Sequence, residues 1–168
     1  DSSTSRGLGD VYKRQGKDVV NHLRGMFGIV IWDTHTKTMF AARDQFGIKP
    51  LYYATTDAGT VFASEMKCIL EMADEIGLEL NLDRRAIEHY VDLQYVPEPE
   101  SLHANIRRVE SGCTVTLRPG EEVVSERYFK PRFPVQQVKQ GEEQQLFNRI
   151  AEALEDSVAK HMLSLIHI

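Results

Sequence analysis

Hydrophobic and polar positions follow two regimes along the chain: short apolar runs between polar turns come first, and longer helical spacings follow. MFGIVIWDTHTKTMFAARD (26–44) is two apolar runs around DTHTKT, which predicts a β-hairpin with a loop of several residues. PLYYATTDAGTVFASE (50–65) repeats the pattern, with TDAG supplying the turn. FGIVIW and MFAA are apolar at consecutive positions, as strands covered on both faces are, so the sheet is expected between two layers. Ser64 stands where an N-cap would, ahead of a short helix EMKCILEM with Glu65 at its positive end.

The spacing then lengthens. LDRRAIEHYVDLQY (82–95) predicts a helix capped by Asp83, with Ala86, Ile87, Tyr90, Val91 and Leu93 on its apolar side. VPEPE (96–100) ends it, because proline supplies no donor and restricts the residue before it. TVTLRPGEEVVSERYF (114–129) predicts a third hairpin, around RPGE. KPRFPVQQVKQGEE (130–143) is poor in core residues and reads as a linker. A long amphipathic helix follows, with Leu146, Ile150, Leu154, Val158 and Met162 at a spacing of four. The composition shift places a domain boundary near 131–141, with one domain over 16–130 and the start of another at 142–162.

The two ends fit none of these patterns. DVYKRQ (10–15) can be encoded by GAT GTG TAT AAG AGA CAG, whose reverse complement reads LSLIHI, the last six residues (163–168). Residues 1–15 and 163–168 are therefore expected to be read-through of one DNA linker of the kind used to build sequencing libraries, to be extended or helical by continuation, and to pack poorly.

Charge and cysteine content narrow the chemistry. A net charge of −5 and scattered Lys and Arg argue against a nucleic-acid surface. No apolar run approaches a membrane span, so neither a nucleic acid nor a membrane is an expected partner. Cys68 and Cys113 lie far apart with no CxxC, which suits a reducing, cytoplasmic setting without disulfides or zinc. No Gly-rich phosphate loop, GxSxG or metal-spaced His pair occurs, so the expectation is no metal site and no catalytic residue in this stretch. The isolated histidines and the acidic EEVVSE and EPE are read as solvated or structural.

ARDQFGIKPLYY (42–53) is more specific: a strand, a tight turn using Gly47, then Pro50 entering the next strand. Arg43 and Asp44 are expected to form a partly buried pair that fixes this turn. Nothing in those residues by themselves calls for catalysis.

LRGMFGIVIWD, ARDQFGIKPLYY, FASEMKCIL, LQYVPEPESLHANIRRVESG and RYF, in this order, resemble glutamine-hydrolysing asparagine synthetases, and LFNRIAEALEDSVAKHM continues the match to residue 162. The resemblance implies an α+β fold: the second half of an αββα glutaminase sandwich, of the N-terminal-nucleophile hydrolase kind, then a linker and the first helix of an α-rich synthetase domain. It implies a complete enzyme in which an N-terminal cysteine releases ammonia from glutamine and a tunnel carries it to aspartate activated by ATP and Mg2+. Met26 and Ile48 match positions that line such a tunnel. The catalytic cysteine and the pyrophosphate loop match nothing here, so this stretch is expected to be inert and to bind no cofactor itself. A different carboxylate acceptor, or a non-catalytic binding domain, are the alternatives, and the resemblance leaves room for a homodimer.

Overall fold

The computed structural model of the protein describes residues 3–133 and 141–166. They fall into two units, Asp1–Lys130 and Pro131–Ile168. Within the first, the three predicted hairpins form. β1 (Gly28–Asp33) pairs antiparallel with β2 (Thr38–Arg43), β3 (Tyr52–Thr56) with β4 (Gly59–Ala63), and β6 (Cys113–Leu117) with β7 (Val124–Arg127). A two-residue strand that the sequence pattern did not announce, β5 (Arg107–Arg108), pairs with β3. The result is a four-stranded sheet ordered β1-β2-β6-β7 and a three-stranded sheet ordered β4-β3-β5.

Three apolar clusters order the layers. Ala41, Leu51, Val109 and Val115 lie buried between the sheets, with Tyr53 and Phe62 packed against them. On the opposite face of β2, Phe40 and Ala42 meet Val19 and Val20 of a 3-10 helix (Gly16–His22). Beyond the second sheet, Ala54 and Ile106 meet Ile69 of α2 (Met66–Glu71) and Ala73 of α3 (Ala73–Ile76). Helical segments therefore cover both outer faces of two stacked sheets. Successive β2 residues point to opposite faces, so consecutive apolar residues there are buried on both.

β1 departs from the expectation of double cover. It is an edge strand, and Val30 and Trp32 are exposed while Ile29 and Ile31 pack inward. Val30 is opposite Ala41 and so shares its face of the sheet, yet on the edge strand it stays exposed while Ala41, one strand in, is buried. An apolar run reports what each face tolerates; its cover depends on where the strand lies in the sheet.

Three more expectations change. Residues 3–15 form helix α1 (Ser3–Gln15), within the expected extended or helical range, but against the expectation of poor packing Leu8 and Tyr12 pack on the Val19–Phe40 cluster, the Tyr12 and Phe40 rings lying 5.4 Å apart. Leu8 and Tyr12 are one helical turn apart and share a face, which is enough to seat the helix. Glu65, not Ser64, is the N-cap of α2, and it makes no side-chain cap bond. Helix α4 (Arg84–Leu93) does carry its predicted cap, Asp83 Oδ1 accepting the amides of Arg85 and Ala86 at 2.8 and 3.2 Å. Of its apolar side, however, only Ala86 is buried; Ile87, Tyr90, Val91 and Leu93 are exposed. The small alanine makes the contact, and the larger residues beside it remain in solvent.

The second unit contains helix α5 (Glu143–Ile166), whose Leu146, Ile150, Leu154, Val158 and Met162 stripe is exposed. The linker expected over 131–141 lies mostly outside the described residues. No helix among the described residues is long and apolar enough to cross a membrane.

Candidate functional site

The chemistry-bearing residues of ARDQFGIKPLYY converge where β2 ends. Arg43 closes the strand and Asp44 opens the turn that leads to β3. Both are almost fully buried, Arg43 at 5% and Asp44 at 1% exposure. A buried charge needs full compensation, so the partners of these two side chains decide what the turn can be.

They do not pair with each other. In an extended strand end, neighbouring side chains diverge, and each charge finds its own set of partners. The Asp44 carboxylate collects backbone amides: Oδ1 accepts from Phe46 at 3.2 Å and Ile48 at 3.0 Å, and Oδ2 from Lys49 at 3.0 Å and Phe27 at 3.3 Å. Burial alone pushes this carboxyl up, but the four N–H donors outweigh it and hold it below the usual carboxylate range.

The Arg43 guanidinium collects the complementary carbonyls. Nε donates to Lys49 O at 2.8 Å, Nη2 to Gly47 O at 2.6 Å, and Nη1 to Val109 O at 2.7 Å. Its ionic partner is Glu98, whose Oε1 lies 2.5 Å from Nη1. The other Glu98 oxygen accepts the Ser111 amide and hydroxyl, each at 2.9 Å. Burial favours the neutral acid at Glu98, yet the Ser111 donors and the Arg43 charge lower its pKa overall. All three guanidinium nitrogens of Arg43 donate, and both oxygens of each carboxylate accept.

Gly47 is required at the centre. Its φ of +64° is left-handed, and a Cβ there would lie 2.9 Å from Arg43 Cζ and closer still to Ser111 Oγ. Pro50 follows the turn at the entry to β3, where its missing N–H leaves no ladder bond unmade. Tyr128, from the RYF stretch, donates its hydroxyl to Arg43 O at 2.8 Å. Burial first, then the Asp44 and Cys113 charges, push that hydroxyl up to about 12, so it serves as a donor throughout the physiological range.

The sequence missed Glu98 and Ser111. EPE reads in sequence as a solvated face, yet Glu98 is the counter-charge of a buried arginine 55 residues away. The only local hint is that prolines flank it on both sides, restricting the backbone that aims it.

Met26 and Ile48 both lie on backbone segments tied to this turn. Phe27, beside Met26, donates to the same Asp44 carboxylate as Ile48 and Lys49, which brings the two segments together. Their side chains are 42% and 56% exposed. Phe46 is exposed beside them and meets the Phe129 ring edge-on at 5.7 Å. The arrangement is thus a buried polar clamp beneath an apolar rim, suited to positioning and without an acid–base pair of its own.

The other reactive groups lie elsewhere. Cys113 is buried, and burial pushes its thiol up, the wrong direction for a nucleophile. Cys68 is exposed on α2. Among the described residues, no group of three or more His, Cys, Asp or Glu is placed to hold a metal ion.

Comparison with known proteins gives this turn its context. A protein of Mycobacterium tuberculosis, provisionally named a glutamine-hydrolyzing asparagine synthetase, is 48% identical over 152 residues, 90% of this chain and 23% of its own. Glutamine-hydrolyzing asparagine synthetase 1 of Bacillus subtilis is 38% identical over 154 residues, 91% of this chain and 23% of its own. The amidase chyE of Penicillium rubens is 31% identical over 124 residues, 74% of this chain and 17% of its own. The chain spans less than a quarter of the length of each of these relatives. Residues 2–129, the whole of both sheets and the clamp between Arg43, Asp44 and Glu98, match the family described as the glutamine amidotransferase domain, and the chain belongs to that family.

Proposed function

We propose that this chain is part of a glutamine-hydrolysing asparagine synthetase, in which ammonia released from glutamine is passed to aspartate. The observation that carries the proposal is the 48% identity over 90% of the chain to a relative of that provisional name. In this reading the chain supplies scaffold and not reaction centres. Cys113, buried and with a raised thiol pKa, lacks a nucleophile's setting.

ATP and Mg2+ are expected for the complete enzyme. The described residues include no cluster of carboxylates that would hold the metal, and the sequence has no Gly-rich loop for the phosphates. Those groups therefore belong, in this proposal, to other parts of the complete polypeptide. The role of Met26 and Ile48 is to flank the path of ammonia. Apolar side chains suit a neutral small molecule, because a charged wall would trap or protonate it.

The full-length protein, recovered from its genomic locus, provides the test. It should hydrolyse glutamine and form an amide with aspartate in the presence of ATP and Mg2+, whereas the 168-residue chain should release no glutamate from glutamine. Turnover of another carboxylate in place of aspartate would move the assignment to a different acceptor. Glutamine hydrolysis by the 168-residue chain would overturn its assignment as scaffold.

A further inference from the structure

The exposed rim of Met26, Phe46 and Ile48 sits on a turn held by two buried charged side chains, Arg43 and Asp44. Loops with apolar tips in solvent gain little from being rigid, and surface loops are ordinarily the mobile parts of a fold. Here four amides converge on one buried carboxylate, while the guanidinium of the preceding residue gathers two carbonyls of the same turn. Burying two ionised side chains is unfavourable unless partners compensate them, and most of the partners here are backbone groups of the turn itself. The geometry fixed is specific: the backbone beside Met26 is tied to the backbone of Ile48 and Lys49 through the two oxygens of Asp44.

We propose that Asp44 is a positioning residue for ammonia transfer, setting the gap between Met26 and Ile48. The assignment rests on the proposed function above and adds to it the side chain that controls the path. Asp44 touches neither ammonia nor glutamine; it acts through the two backbone segments. Only a carboxylate satisfies the site, because all four approaching groups are donors and an amide side chain would turn its own NH2 toward some of them.

Asp44→Asn and Asp44→Glu in the full-length protein test this. The assay follows glutamate formed, aspartate amidated and ammonia released to solvent, with glutamine as donor and, separately, with ammonium chloride. The wild type should release little free ammonia per glutamate. Asp44→Asn should raise that leak about threefold or more, while glutamine hydrolysis and ammonium-supported amidation each stay within about twofold. Asp44→Glu, which keeps the charge but moves it by one methylene, should show a smaller leak, and it carries the comparison if the Asn variant does not fold. A general structural defect would lower both half-reactions and leave the ratio unchanged. A coupled wild type whose variants stay equally coupled overturns the assignment of Asp44 alone. A wild type that releases all its ammonia overturns the functional proposal, and this assignment with it.

Discussion

Replacing Glu98 with Gln is the sharpest test of the clamp, because it removes a charge while leaving the shape. Glu98 joins Arg43 at 2.5 Å and Ser111 through two bonds of 2.9 Å. Glutamine has one acceptor oxygen. If that oxygen keeps Ser111, its NH2 faces the Arg43 guanidinium, donor against donor, and the buried cation loses its counter-charge. Breaking a buried pair from one side costs about 3–5 kcal/mol. The Glu98 side chain is 27% exposed, so water recovers part of this, and about 2–3 kcal/mol is expected. The loss should fall on local opening of the turn and not on the whole fold. Hydrogen exchange of the full-length protein reads this directly: amides over 46–49 and at Ser111 should lose about 30- to 150-fold in protection, at one decade per 1.4 kcal/mol. Amides of α2, which belong to the other side of the second sheet, should not change. A loss of less than about threefold at the turn would show that the ion pair does not hold it.

Three further outcomes are expected. Gly47→Ala should cost about 2–4 kcal/mol, from the left-handed φ and the collision with Arg43 and Ser111; Gly120→Ala, with φ +77° and open space around it, should cost only the backbone part. Denaturation midpoints of the two variants, compared side by side, separate the two contributions. Asp83→Ala removes a cap accepting two amides and should cost α4 about 1 kcal/mol, or about fivefold in exchange protection across Arg84–Leu93. Acid should release the clamp: Asp44 and Glu98 are both held below their ordinary values, so their stabilisation is present above pH about 4 and is lost as pH falls through the folded values. Protection at Ile48 and Lys49 should fall over that window in the wild type. A fall shared equally by α4 would point instead to general acid unfolding.

How much was legible in advance follows the range of the forces involved. The three hairpins were readable because strand pattern and turn chemistry are local, and antiparallel partners close in sequence need only a short loop. The Asp83 cap was readable for the same reason: its acceptor and the two amides it holds lie within three residues. The resemblance of ARDQFGIKPLYY and the stretches around it pointed to the family that the comparison over 2–129 shows.

Only the tertiary structure decided where the cover lies and what the charges do. Val30 and Trp32 belong to an apolar run, but their place on the edge strand leaves them exposed. Ile87, Tyr90 and Val91 follow a helical period, yet the period says which face is apolar and not whether anything lies against it. Arg43 and Asp44 are adjacent, which made a pair the natural expectation, and the fold gave Arg43 a carboxylate 55 residues away and Asp44 a ring of amides. Adjacency in sequence sets which groups are near. Electrostatic compensation in a buried site depends on which groups the packed layers bring into reach, and that is a property of the whole domain.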